Sequence, residues 1–417
     1  MKEMNKVVLK DIFIDKNRIE YNYEATGIIK NFLNLNSPFF IEYDEDISKI
    51  PKSILVIPFL CNMLPISWVC NAEIKINDID KAFYNSIQDF KQGYIEMYPK
   101  ILFKGRLITN KIVDNTYIAT NKTAAFFSGG VDAFSTLITH VKEKPTLVTL
   151  WGSDIHLKNK AGWEIVKKHA IQTAKIFETN NLFIKSSFRL FLKEHELGTL
   201  VYDKANDYWW HGFQHGIGLI GHIAPYAYKH RISTIYIGST FTEKEKGTVT
   251  CASDPTIDNF VKISSCKTIH DGYEFNRQEK IHNIVEYKIK NNKKFELRVC
   301  WKSENGDNCC KCEKCYRTIY GLIAEKANPK DYGFYISDLK KIEKDMKRRI
   351  ILSNILIPLW KDVQNKFIEN KDSLYKNSNY KWIYEMDFDS INNTFRKQYI
   401  NPFLNKLIRI IRRLKKI

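Results

Sequence analysis

Apolar residues fall into three regimes along the chain. Up to about residue 118, short β-type runs at Val7–Ile12, Ile54–Phe59 and Ala72–Ile76 precede a stretch with helical spacing. That stretch is Ala82–Met97, where Ala82, Phe83, Ile87, Phe90 and Tyr94 share a face. The pattern predicts a small α+β domain over 1–118. From 119 to about 330, buried-strand runs alternate with helical stretches. The strands are expected at Ala124–Ser128, Thr146–Trp151, Leu182–Ser186 and Thr234–Gly238, and the helices at Asp132–Val141, Ala161–Thr179, His211–Tyr228 and Arg277–Ile289. Such alternation predicts an α/β domain with an open parallel sheet, whose ligands bind beyond the carboxyl ends of the strands. Ser128–Asp132, Trp151–Asp154 and Gly238–Thr240 all follow strand ends and are expected to line one mouth.

The third regime, 331–417, reads as helical and basic. Pro402 starts a last helix in which Phe403, Leu404, Leu407, Ile408, Ile411 and Leu414 share one face. Lys406, Arg409, Arg412, Arg413 and Lys416 lie largely on the others. We expect this helix to dock on its own domain with a solvated basic face, over the rival of an anionic membrane surface or nucleic acid.

Composition narrows the class. The 417 residues are 44% hydrophobic and 27% charged, as in a soluble globular protein of two or three domains. No apolar run is long enough to span a bilayer, and the N-terminus lacks a signal-peptide core, so a cytoplasmic location is expected. The net charge of +18 invites a nucleic-acid partner. However, the basic residues are spread along a chain rich in Lys, Asn and Ile, and eight of them fall in the last 22 residues. Nucleic acid is therefore not the favoured partner.

The densest chemistry lies at Phe126-Phe127-Ser128-Gly129-Gly130-Val131-Asp132-Ala133. A strand enters a Gly-Gly turn and a helix follows. The glycines allow a sharp turn with no side chain between backbone and ligand, and successive N–H groups at the helix start make a nest for anionic oxygens. Ser128 adds a hydroxyl, and Asp132 can hold a metal ion that bridges phosphates. The Lys and Ser/Thr of a Walker A loop are absent.

A second cluster is Cys300-x8-Cys309-x2-Cys312-x2-Cys315, which contributes four of the nine cysteines. Four soft thiolates at this spacing suit a closed, structural zinc site, with Cys300 expected on a strand Phe295–Trp301. Lys311, Lys314 and Arg317 would offset its negative charge. Cys310 is the residue left over, and Cys61 and Cys70 have no partners at metal spacing.

The string Phe127-Ser128-Gly129-Gly130-Val131-Asp132 resembles the PP-loop of the ATP pyrophosphatase (adenine nucleotide alpha hydrolase) superfamily, with Ala133 where a serine is usual. Its pairing with the cysteine knuckle is similar to the 7-cyano-7-deazaguanine synthase family over about residues 120–325. The resemblance implies a Rossmann-like PP-loop sheet that binds ATP and Mg2+ at Phe127, Ser128, Gly129, Gly130, Val131, Asp132, Ala133, Phe134, Ser135, Thr136 and Leu137. Trp151 and Gly152 would meet the adenosine. Ser128, Asp132 and Arg277 would carry catalysis, and Cys300, Cys309, Cys312 and Cys315 would hold Zn2+. Asn276 and Glu279 form a capping-box pattern that puts Arg277 at a helix N-terminus.

The implied reaction is an ATP-dependent carbon–nitrogen ligation. A carboxylate or amide oxygen becomes an adenylate with release of pyrophosphate, and ammonia or an amine then displaces AMP. The implied partners are a small-molecule or protein-terminus acceptor and an amine donor, and a homodimer is compatible with this picture. The segments that would touch a deazaguanine, Trp210-His211-Gly212 and Ala252-Ser253-Asp254-Pro255, depart from that family, which points away from that substrate.

Other polar residues allow two readings. His211 and His215 are one helical turn apart and could face the crevice or pack. Asp254 and Asp258 could orient an amine or simply shape a loop, and Asp154 could contact ribose or cap a turn. The rival enzyme, a nucleic-acid sulfurtransferase, needs a cysteine near the crevice, for which Cys251 is the candidate. A nucleotide-binding interaction protein with a decayed site is the rival outside enzymes.

Overall fold

A computed structural model describes residues 4–400 apart from 301, 304 and 395, so the expected helix beyond Pro402 lies outside the described residues. They form two compact units, the first ending at Glu274 and the second beginning at Phe275, with 305 and 306 belonging to the first.

The first unit is built on eleven strands: β1 (Lys6–Asp15), β2 (Arg18–Thr26), β3 (Phe39–Tyr43), β4 (Glu73–Asp80), β5 (Arg106–Val113), β6 (Thr123–Phe126), β7 (Thr146–Trp151), β8 (Asn181–Ser186), β9 (Thr234–Gly238), β10 (Lys262–Ile263) and β11 (Cys266–Asp271). They make one mostly parallel sheet in the order β10-β11-β9-β6-β7-β8-β3-β2-β1-β4-β5. Within it, β11, β9, β6, β7 and β8 run parallel. The chain enters this half at β6, steps outward to β7 and β8, then returns to the other side of β6 for β9 and β11. Strand order therefore reverses between β6 and β9, the point at which an open sheet of this kind forms its ligand crevice.

The boundary expected near 118 does not separate two domains. β3 pairs antiparallel with β8 (Ile41 opposite Ser186, Tyr43 opposite Ile184), so both halves share one ladder. The connecting segment is held from both sides. Asn115 Nδ2 donates to Asp80 at 3.0 Å, Tyr117 N donates to Ser265 Oγ at 2.9 Å, and Tyr117 Oη donates to the Ile232 carbonyl at 2.7 Å. The boundary expected near 330 also moves: the division at 274/275 puts the cysteine cluster with the helical C-terminal unit.

Two local expectations are corrected. Ile54–Phe59 is not a strand; it spans the helices Lys52–Leu55 and Ile57–Cys70. Nearly every side chain of the second helix is buried, so no polar face marks its period, and its apolar run mimics a buried strand. The single helix expected over His211–Tyr228 is broken into a π-helical turn Trp210–Gln214 and the helices His215–His222 and Ala224–His230. Pro225 supplies no N–H to continue the ladder, which places the second break at Ile223.

The buried helix holds the crevice helices from behind. Gln214 Nε2 donates to Asn62 Oδ1 at 2.8 Å, and a Cβ on Gly221 would come within 2.6 Å of Cys61 Cβ. Cys61 is thus a packing residue. Tyr43 Oη donates to the His222 carbonyl at 2.8 Å. The His222 ring is fully buried; Nδ1 donates to the Gly218 carbonyl (2.6 Å), so Nε2 accepts from Ser186 Oγ (2.9 Å).

Burial pushes the pKa of His222 down to about 4. Above about pH 6.5 the ring is neutral folded or unfolded and contributes no pH dependence. Below that, only the unfolded chain takes the proton. Stability should therefore fall between pH 6.5 and 4, by about 3 kcal/mol from this ring. Urea unfolding at several pH values should show that loss, and His222→Gln should shrink it; an unchanged acid slope in the variant would refute the assignment.

The second unit is helical, built chiefly from Arg277–Lys290, Glu313–Ala324, Lys340–Arg348 and Leu356–Glu369. Its core gathers Tyr320, Trp360, Phe367 and Trp382. Among the described residues no helix is long and apolar enough to cross a membrane.

Candidate nucleotide site and metal centre

At the end of β6 the backbone leaves the sheet as the sequence suggests. Phe127 N still donates to the Val148 carbonyl at 2.8 Å; Gly129 then turns at φ 80°, and the helix Val131–Thr139 begins. Its N-cap, Gly130, offers no side chain to the first-turn N–H groups. Those groups are the donors that a helix leaves without intrahelical partners, and they carry its positive end. Ser128 is exposed at the turn, and its Oγ accepts from Gly130 N at 3.3 Å, which curls the loop. Asp132 is half-buried in the first turn, where Thr240 Oγ1, just past β9, donates to its Oδ2 at 3.3 Å.

The approach between β9 and this helix is close. A Cβ on Gly238 would lie 2.9 Å from the Asp132 carbonyl oxygen and 3.2 Å from Thr136 Oγ1, which is buried and has no hydrogen-bond partner. Ser128, Gly129, Gly130, Asp132 and Thr240 are thus together at the point where strand order reverses.

The rest of the expected nucleotide stretch splits by helix face. Val131, Phe134 and Leu137 are buried in the core, where Phe134 packs on Phe127 and Phe177. Their side chains anchor the turn and do not reach a ligand. Ala133, Ser135 and Thr136 are also buried. At the end of β7, Gly152 takes φ 110°, and a Cβ there would collide with the Ser186 carbonyl. The Trp151 ring stacks on Trp163 at 5.3 Å, and its Nε1 donates to the His156 carbonyl.

Of the other polar residues, His211 is bound through Nδ1 to the Asp207 carboxylate (3.0 and 3.1 Å). Asp207 also accepts from Tyr98 Oη (3.1 Å) and Thr250 Oγ1 (2.8 Å). Asp254 has the structural role: it caps the turn Pro255–Asp258 by accepting from Thr256 N. Asp258 is buried, with Oδ2 against His270 Nδ1 (2.9 Å) and Ser253 Oγ (2.8 Å). Burial pushes its carboxyl up, although His270 and Ser253 pull the other way. Asp207, Tyr98, Thr250 and His270 were not singled out from sequence. Isolated polar residues in four separate segments carry no spacing signal.

In the second unit, the sulfurs of Cys300, Cys309, Cys312 and Cys315 all lie within 4.8 Å of one another, with Cys300–Cys312 and Cys309–Cys315 both at 3.9 Å. Sulfurs about 2.3 Å from a tetrahedral zinc would be about 3.8 Å apart, so the group could hold zinc. Cys312 is the N-cap of Glu313–Ala324 and Cys315 sits in its first turn, where the helix dipole favours thiolates. Lys311 N donates to Cys309 Sγ at 3.4 Å. Cys310 turns at φ 49° and is outside the cluster.

Residues 293–300 are not a strand, contrary to expectation. Their backbone groups pair with separate partners instead of a neighbouring strand: Asn308 Oδ1 accepts from Val299 N (2.9 Å), its Nδ2 donates to the Leu297 carbonyl (2.7 Å), and Leu297 N donates to the Tyr332 carbonyl (3.0 Å). Arg317, expected to offset the thiolates, has its buried guanidinium paired with Glu313 at 2.7 Å. The Asn276–Glu279 capping box is formed. Arg277 is only 2% exposed, and its Nη2 lies 3.4 Å from Thr318 Oγ1 within the same unit. No protein-family model matches the sequence, and a search of curated proteins finds no match.

Proposed function

We propose that the first unit is an ATP pyrophosphatase-type domain of Rossmann-like topology, which adenylates a carboxylate or amide oxygen for attack by ammonia or an amine. One observation carries this reading: an uncapped helix N-terminus after a Gly-Gly turn stands where strand order reverses between β6 and β9. That is where a sheet of this kind receives a phosphate chain. The N–H groups of residues 129–132 and the Ser128 hydroxyl would hold the beta and gamma phosphates. Asp132, tied to Thr240, would hold Mg2+ against them, and the backbone at Trp151 and Gly152 would take the adenosine.

With the phosphates fixed, the acceptor oxygen attacks the alpha phosphorus, and pyrophosphate leaves as its bridging bond breaks. The chain's part is positioning and charge neutralisation, which is how most phosphoryl-group catalysis is achieved. Arg277 has a partner inside the second unit, so we assign it no phosphate. The zinc centre, closed by four thiolates, would be structural.

The test is the product pattern. Purified protein with ATP, Mg2+ and radiolabelled ammonia or glycine amide should, with small-molecule extract as acceptor source, release AMP and pyrophosphate in equal amounts. ADP and phosphate as the only products would overturn the reading. RNA-dependent turnover would favour a sulfurtransferase.

A further inference from the structure

The π-helical turn Trp210–Gln214 carries His211, and the helix that follows opens with His215. The run from His215 to His230 leads back to β9, and His222 within it meets Ser186, the last residue of β8. The chain passes this point again after β9. Ala252 N donates to the His211 carbonyl at 2.8 Å, which seats Cys251 beside both imidazoles.

Behind His211 lies Asp207, which is buried and fixed by Tyr98 and Thr250. Nδ1 of His211 is engaged by that carboxylate, which leaves Nε2 as the ring's other nitrogen. His215 contributes a buried Nδ1 with no hydrogen-bond partner, and its ring meets Trp210 edge-on at 5.1 Å. The other titratable groups close by are Tyr94 and Tyr98, which feel the thiol's charge, and Asp258, which feels His215.

We propose that Cys251, His211 and Asp207 form an acyl-transfer site in which Cys251 is the nucleophile and Asp207 positions His211. A carboxylate–imidazole–thiol series is the arrangement that activates a weak nucleophile and fixes the ring's tautomer. Among the described residues only the four-cysteine group satisfies metal-ligand distances, which separates this cluster from a metal site.

Burial opposes ionisation of the thiol, but His211 and then His215 outweigh it and bring it down to about 6. Burial likewise opposes protonation of His211, and Asp207 with Cys251 raises it to about 10. Both shifts run in the direction that favours a thiolate beside an imidazolium. Cys251 is 7% exposed while the His211 side chain is 41% exposed, so a substrate would reach the sulfur past the imidazole.

The site would take an activated acyl group, and this rests on the adenylating reading only for the identity of the donor, an acyl adenylate. The thiolate attacks the carbonyl carbon; the C–S bond forms as the bond to the AMP oxygen breaks, and AMP leaves with that electron pair. With the sulfur's charge gone, the His211 imidazolium releases its proton to solvent. An amine then attacks the thioester, forming C–N as C–S breaks. The electron pair returns to sulfur, and the amine's proton goes to His211, restoring the ion pair.

The probe is p-nitrophenyl acetate, an activated acyl donor that needs no ATP. With the full-length protein at neutral pH, peptide mass spectrometry should find one acetyl group, on Cys251, and added methylamine should remove it as N-methylacetamide. His211→Gln and Asp207→Asn should slow that labelling by about 100-fold while melting temperature and zinc content hold. Should either variant fail to fold, the wild-type peptide map still decides. Acetylation of Cys70 or lysines with Cys251 bare would overturn the proposal, as would folded His211→Gln labelling at the wild-type rate. Acetyl transfer through Cys251 without any release of AMP and pyrophosphate from ATP would leave this site standing and remove the adenylating reading.

Discussion

Serine at position 312 should empty the metal centre and loosen the second unit. Wild-type protein is expected to bind one zinc per chain, and Cys312→Ser to retain almost none, by elemental analysis after gel filtration. Cys312 is both a ligand and the N-cap of Glu313–Ala324, the helix that carries Tyr316 and Tyr320 into the core. Losing the ion therefore frees the knuckle and the start of that helix together. Structural zinc contributes on the order of 10 kcal/mol in small zinc-dependent folds. Here the aromatic core around Trp360 limits the damage, so we expect a lower melting temperature with the helical signal partly kept. Chelation of the wild-type protein should reproduce it. Cys310→Ser should hold a full equivalent of zinc, because Cys310 is outside the cluster. If Cys310→Ser lost the metal while Cys309→Ser kept it, the ligand set would be wrong.

The parallel half of the sheet was readable because strands buried on both faces appear as unbroken apolar runs. Thr146–Trp151 and Thr234–Gly238 were found with their exact bounds, and Asn181–Ser186 within one residue. The same rule misled at Ile54–Phe59, where a helix enclosed on all sides also shows an unbroken run. β2 did have a signal: Ile19, Tyr21 and Ala25 alternate inward along Arg18–Thr26. Glu20, Asn22 and Glu24 make the segment polar on average, which hides that alternation.

Domain limits were harder to read. Nothing local says that Phe39–Tyr43 will pair with a strand more than 140 residues away, or that Asn115 and Tyr117 will be fastened from both sides. The site followed the same division. Motifs contiguous in sequence, the Gly-Gly turn and the cysteine knuckle, could be read directly. The Asp207–His211–Cys251 series could not, since its members are joined by the return of the chain after β9. The capping box gives Arg277's place at a helix start but says nothing about which way that first-turn side chain packs, and here it is buried.

Alanine at position 132 should remove most ATP turnover and little stability. Asp132 is half-buried in the first turn of Val131–Thr139, with its carboxylate at the crevice beside Thr240. The neighbours that anchor this turn in the core are Val131, Phe134 and Leu137, and none of them is touched by the change. A hydrogen bond of this kind is worth about 1 kcal/mol, and a first-turn carboxylate adds up to about 1 kcal/mol against the helix dipole. The melting temperature should therefore drop by only a few degrees. If the carboxylate holds Mg2+ on the phosphates, losing it should slow pyrophosphate release about 1000-fold, the scale seen when one preorganised charge-stabilising group is removed. Asp132→Asn should be nearly as slow, since an amide matches the shape but not the charge. Higher Mg2+ should restore part of the rate in the asparagine variant, read as pyrophosphate released per minute per enzyme. Wild-type rates in a folded Asp132→Ala protein would show that the metal is held elsewhere and that this carboxylate only ties the end of β9 to the helix.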